Sequence, residues 1–160
     1  MPNWCANQLT VASATPELRA YLKDHGFSFE KINPPVKPTP SSESMGGIQH
    51  QVDAWGTKWD LLEDDQWWVA NELHETGIAY FDTAWSPPIA ALEALSGRFP
   101  NDMFSLTYCE LGNHFAGTAT FAGGTSHDIP AEADLVMKIA CEVFGYDDPA
   151  YEEPEEPAVP

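Results

Sequence analysis

Basic residues are scarce in this 160-residue chain beyond Lys58, where only Arg98 and Lys138 stand against twenty acids. Residues 1–58 balance five acids with five bases, so the whole net charge of −18 arises from the later part. Such a surface repels the phosphates of nucleic acid and membrane headgroups, and attracts basic surfaces, above all those built to hold nucleic acid. Direct nucleic-acid binding is therefore not expected. Cysteine is also sparse. Cys5, Cys109 and Cys141 are odd in number, widely spaced and outside any CxxC pair, which points away from a disulfide framework or a zinc site and towards inert thiols. No stretch approaches the roughly 20 apolar residues of a membrane span, and the first residues lack a basic start followed by an apolar run, so a cytoplasmic location without membrane contact is expected.

Aromatic residues, by contrast, are plentiful: 12% of the chain, six of them tryptophan, within 43% hydrophobic residues. That is enough apolar surface for one packed core despite the charge. A single domain is expected over residues 1–145, with an insertion at 33–76. Residues 146–160 carry six acids, four prolines and no base, and read as an acidic flexible tail.

The pattern along the chain predicts a strand over Asn3–Val11, with Cys5, Leu9 and Val11 on one face and Asn7 interrupting it. Thr15 caps a helix with Pro16 in its first turn and Gly26 as its stop. Phe27, Phe29 and Ile32 suggest a short second strand, and residues 33–47, rich in Pro, Ser and Gly, a long irregular loop. The segments 53–60 and 63–68 read as an insertion with its own small structure. Ile78, Tyr80 and Phe81 predict a strand. Ser86 is expected to cap a helix running to Arg98, with Pro87 and Pro88 in its first turn. Phe104–Phe121 reads as a hairpin turning at Gly112-Asn113. Asp128 and Pro130 are expected to open a last helix ending at Gly145. This order is close to a split β-α-β arrangement with extra elements, an α+β layer with both later helices on one sheet face.

Three motifs carry a family likeness: Pro2-Asn3-Trp4-Cys5-x-Asn7-x-Leu9-Thr10-Val11, Trp55-Gly56-Thr57-Lys58-Trp59-Asp60, and Phe81-x-Thr83-Ala84-Trp85-Ser86-Pro87-Pro88. With Leu95-Ser96-x-x-Phe99-Pro100, Leu106-x-Tyr108-x-Glu110 and Phe115-x-Gly117, the sequence resembles the YubB-type ferredoxin-like proteins of phages and plasmids over roughly residues 2–124. The resemblance implies a ferredoxin-like antiparallel sheet with helices on one face, an inserted loop region, an extra C-terminal helix, and an origin on a mobile element. It brings no catalytic residues with it.

Among candidate sites, Trp55 and Trp59 are large amphipathic anchors, with Lys58 and Asp60 offering charge recognition. The same residues equally describe a structural corner, in which tryptophans flanking Gly56 pack a turn onto the sheet and Lys58 pairs with Asp60 or Asp82. Glu63, Asp64, Asp65, Trp67 and Trp68 extend the aromatic and acidic run, either as solvated surface or as an imitation of nucleic-acid phosphates. The expectation is a binding protein rather than an enzyme, with no cofactor or metal. Its partner-binding surface is Trp55, Lys58, Trp59, Asp60, Glu63, Asp64, Asp65, Trp67 and Trp68, and its partner the basic surface of a host protein that handles nucleic acid, such as a CRISPR or restriction complex. The alternative is a small hydrolase or metal-dependent enzyme combining Glu110, His114 and His127 across the hairpin. His50 with Asp53, and His127 with Asp128, are further pairs, while His25 and His74 fit helix ends or solvated loops.

Overall fold

Leu9 in strand β1 (Trp4–Val11) lies opposite Ala79 of β2 (Ile78–Ala84) on one side and Leu106 of β3 (Phe104–Glu110) on the other, which makes the first strand an interior strand of the sheet. With β4 (Phe115–Ala122) and β5 (Thr125–Pro130) the order is β2-β1-β3-β4-β5, antiparallel throughout. The computed structural model describes residues 2–36, 48–148 and 150. Because β2 and β3 both run against β1, they run parallel to each other, and the helix α5 (Ile89–Arg98) joins them across the gap that β1 fills. This is the split β-α-β unit of a ferredoxin-like α+β fold.

Period-two alternation sorts the side chains. Cys5, Asn7, Leu9 and Val11 of β1, Phe104 and Leu106 of β3, and Ala119 and Phe121 of β4 face the main core, where Leu18 and Leu22 of α1 (Pro16–His25) and Leu92 and Leu95 of α5 meet them. Thr15 caps α1 as expected, its hydroxyl accepting the Leu18 N–H at 3.3 Å, and Gly26 ends it at φ 73°. Burial pushes the Cys5 thiol up to about 12 and the Cys109 thiol up to about 11, consistent with inert sulfurs.

Several expected elements take other forms. The predicted strand after Gly26 is instead a short helix, α2 (Phe29–Ile32), capped by the Ser28 hydroxyl. The inserted region forms α3 (Gln49–Trp55) and α4 (Glu63–Glu75); the irregular loop expected over 33–47 lies outside the described residues from position 37, as does the tail from 151. Ser86 does not cap α5, whose first turn has no side-chain cap. Its hydroxyl donates to Gly56 O at 2.6 Å instead. The hairpin of β3 and β4 is present, but Glu110 pairs with Phe115, so the turn spans Leu111–His114 rather than two residues. The Glu110 carboxylate shapes it by accepting the backbone N–H groups of Gly112 and Asn113.

The last helix also departs from expectation. Residues Thr125–Pro130 form β5, and only after a 3-10 turn at Ala133–Leu135 does α6 (Val136–Phe144) begin. Val136 and Ala140 pack on Cys109 and Ala116, which alternate onto the sheet face opposite the main core. Thus α5 and α6 lie on opposite faces, and α6 is the added C-terminal helix on the reverse side.

Candidate partner-binding groove

The three motifs at residues 2–11, 55–60 and 81–88 lock into one corner. Gly56 ends α3 with a left-handed φ of 82°, and a Cβ there would lie 3.0 Å from the Ile89 backbone nitrogen, so the close approach to the start of α5 requires glycine. The buried Thr57 donates its hydroxyl to Ala84 O at 2.7 Å, and Thr83 donates to Ser86 O at 2.8 Å. Trp85 takes a left-handed φ of 74°, rare for a non-glycine residue, while its N–H donates to Asn3 O at 2.8 Å.

This corner divides the expected binding residues. Trp55 is only 1% exposed, with its indole N–H donating to Asn33 O at 2.9 Å and its ring against Phe29; it is core, and its place in the binding surface is corrected accordingly. Asp60 is also structural, because its carboxylate accepts the Ser28 hydroxyl and the N–H groups of Phe29, Glu30 and Leu61. Lys58 places its ammonium 4.0 Å from the Trp85 ring centroid and 4.5 Å from that of Trp59; the ion pair expected with Asp60 or Asp82 is not formed among the described residues.

Helix α4 separates the remaining residues. Successive positions on a helix point about 100° apart, so Trp67 and Trp68 serve different sides. Trp67 lies against Gly26 and near the Lys31 ammonium, bordering a cleft of about 380 Å³ with Leu22, Lys23 and His74. Trp68 faces a larger groove of about 680 Å³ between α4 and β2. Glu63, Asp64 and Asp65 fill the first turn of α4, which has no side-chain cap, so their charge also favours the helix N-terminus. Of the three, Asp65 lines the groove.

The groove joins Trp59 and Trp68, expected from the sequence, to Trp4, Tyr80 and Asp82, which sequence reasoning did not place in the site. Trp4 is 49% exposed, Trp59 42%, Trp68 50% and Tyr80 45%, and all four line it. Trp4 and Trp59 lie against each other with ring centroids 6.4 Å apart and planes tilted by 58°. Exposed rings gathered in this way mark an interaction site more often than scattered ones do. Asp82 joins Asp65 there, its carboxyl raised above the ordinary value by partial burial first and by the Asp65 carboxylate second. A usable signal was strand alternation: Phe81 faces the core, so its neighbours Tyr80 and Asp82 face away.

The alternative histidine site is not assembled. Glu110 is engaged with the hairpin turn, and a nitrogen of the His114 ring lies 3.1 Å from Ala133 O. His127 pairs with Thr120, five positions along β4 from the Phe115 that pairs with Glu110, or roughly 17 Å at the strand rise. Among the described residues no group of three His, Cys, Asp or Glu side chains is placed to hold a metal ion, and no helix is long and apolar enough to cross a membrane.

A family profile described as the ferredoxin-like domain in Api92-like protein matches residues 54–136, from the end of α3 to the start of α6. No curated protein and no solved structure matches the chain. The matched segment exceeds half of the 160 residues and contains the corner at Gly56, the groove-lining strand β2 and the split β-α-β crossover, so the chain belongs to the Api92-like family with its ferredoxin-like domain.

Proposed function

We propose that this chain is a binding protein of mobile-element origin, of the YubB type and borne by a phage or plasmid. In this reading it docks on the basic surface of a host nucleic-acid-handling protein, such as a CRISPR or restriction complex, and inhibits or modulates it in the host cytoplasm. The observation that carries the reading is the groove between α4 and β2, where four half-exposed aromatic rings stand beside Asp65 and Asp82 in a chain of net charge −18. Rings of this kind supply short-range binding energy, while surrounding carboxylates supply long-range attraction and register. Binding rather than catalysis is favoured because Glu110 is engaged with the turn N–H groups and His114 with Ala133 O, while His127 sits opposite Thr120, far along β4 from them. With two bases after Lys58, the acidic surface imitates nucleic acid rather than holding it.

The test is competition. Immobilised protein is exposed to bacterial lysate, and retained proteins are challenged with duplex DNA. A partner that DNA displaces from the wild type, and that fails to bind a variant carrying Trp59→Ala, Trp68→Ala and Asp65→Asn, supports the reading. Retention that is indifferent to both overturns it.

A further inference from the structure

Among the described residues strand β2 is one edge of the sheet, with β1 as its single strand neighbour. Its alternation is fixed at both ends. Gly77 O accepts the Val11 N–H at 2.8 Å, and the Trp85 N–H donates to Asn3 O at 2.8 Å, so odd-numbered positions turn their backbone groups towards β1. Positions 78, 80, 82 and 84 therefore turn theirs outwards. The two ends are closed internally. Ile78 donates its N–H to the Thr76 hydroxyl at 3.2 Å and accepts that hydroxyl on its carbonyl at 3.0 Å. Ala84 O accepts the Thr57 hydroxyl at 2.7 Å and the Lys58 N–H at 3.3 Å. Between them the outward N–H and C=O of Tyr80 and Asp82 have no partner among the described residues.

The groove runs along this open stretch, with Tyr80–Ala84 on one side and Asp65, Trp68 and Val69 on the other. An edge strand facing a helix across a groove is the arrangement that accepts an extended peptide by strand addition, with backbone bonds giving affinity and alternate side chains giving specificity. We propose that the free edge of β2 takes an extended, arginine- or lysine-bearing segment of a partner protein as a short added strand, hydrogen-bonded to Tyr80 and Asp82 and lying against α4.

Charge selects this occupant. Asp65 and Asp82 stand beside the aromatic rings, so a cationic side chain meets both carboxylate and ring faces. Lys58, already seated between Trp59 and Trp85, shows that rings of this corner hold an alkylammonium group. The chain's own end is mismatched, since residues 146–160 carry six acids and no base. The closed positions at Ile78 and Ala84 limit the added strand to about four residues.

The inference rests on the groove reading of the proposed function and adds the mode of docking. Its probe is a blocked hexapeptide alternating arginine and valine, titrated into the full chain at low salt. Saturable binding is expected, with the amide protons of Tyr80 and Asp82 slowed at least about tenfold in exchange and that of Ile78 unchanged. The same peptide methylated on alternate backbone nitrogens keeps its charge but is expected to bind at least about tenfold more weakly, as the loss of one or two hydrogen bonds implies. Asp82→Pro is expected to lose a further tenfold or so relative to Asp82→Asn, because both remove the charge but only proline removes the outward N–H. Should Asp82→Pro fail to fold, the methylated peptide decides on the wild-type protein. Equal binding of parent and methylated peptides overturns strand addition while leaving the acidic, aromatic surface reading intact. Absence of saturable binding by the parent peptide overturns the inference outright. Partners that DNA cannot displace, beside a peptide that protects Tyr80 and Asp82, would sink only the nucleic-acid-handling identity of the target.

Discussion

Ser28 and Asp60, thirty-two residues apart, cap α2 together: the Ser28 hydroxyl donates to one Asp60 oxygen at 2.8 Å, and the other accepts the Phe29 N–H at 2.9 Å. Asp60→Ala strands three backbone donors and a buried hydroxyl, so it should cost about 2–3 kcal/mol in urea unfolding. Asp64→Ala, on the exposed first turn of α4, should cost no more than about 1 kcal/mol. Comparable losses for the two would show that Asp60 is not a structural cap.

The tryptophans should divide in the same way. Trp55→Ala empties a core position and breaks the bond to Asn33 O, for an expected loss of about 3–5 kcal/mol. Trp68→Ala should cost no more than about 1 kcal/mol but speed dissociation of a bound basic peptide by about tenfold or more. Stopped-flow dissociation combined with denaturant unfolding separates the two effects.

Asp82 sets a pH dependence. Its folded-state pKa lies above the unfolded value near 3.8, so between those values the folded chain binds more protons and the group's contribution to stability falls as pH rises. Asp82→Asn should remove that slope from a plot of unfolding free energy against pH, leaving the variant relatively more stable on the alkaline side of the window. Binding has the opposite sign, because a cation in the groove favours the ionised carboxylate: peptide affinity should rise with pH through the same window and release protons, measurable by calorimetry in two buffers of different ionisation enthalpy.

Neutralising the first turn of α4 with Glu63→Gln, Asp64→Asn and Asp65→Asn should slow association and flatten its salt dependence while changing dissociation less. Each removed charge should also cost about 0.3–1 kcal/mol, because these acids face an uncapped helix start. An association rate unchanged at low salt would leave the acids with the role of keeping the chain soluble.

Local signals carried much of the architecture. Thr15 and Gly26 bound α1 as their chemistry requires, and the alternation of Phe104, Leu106 and Tyr108 marks β3. Errors arose where a distant partner outweighed a local pattern. Phe27, Phe29 and Ile32 resemble a strand until Asp60 arrives to cap the chain as a helix. Asp128 and Pro130 resemble a helix start, yet pairing with β4 makes them strand, and Asp128 accepts the Tyr108 hydroxyl at 2.7 Å. A Cβ at Gly117 would clash with the Tyr108 hydroxyl and lie 2.9 Å from Ile129 O, so the crossing depends on glycine there. Trp59 and Trp68 were legible as exposed anchors, but Trp55 was not separable from them by type. Trp4, Tyr80 and Asp82 join the groove only through register with β1, which no local window contains.

The position of β1 between β2 and β3 also bears on how the chain is made. A strand synthesised first must wait for both neighbours: β2 begins 74 positions after Trp4, and β3 begins at Phe104. At the usual pace of translation the first wait alone lasts roughly 4–15 s, during which Cys5, Leu9 and Val11 have no sheet to join. Such distant pairing favours slow folding and a vulnerable nascent state. The segment 54–136 cut out alone would inherit the complementary defect, with β2 and β3 parallel across an empty slot as wide as the missing strand.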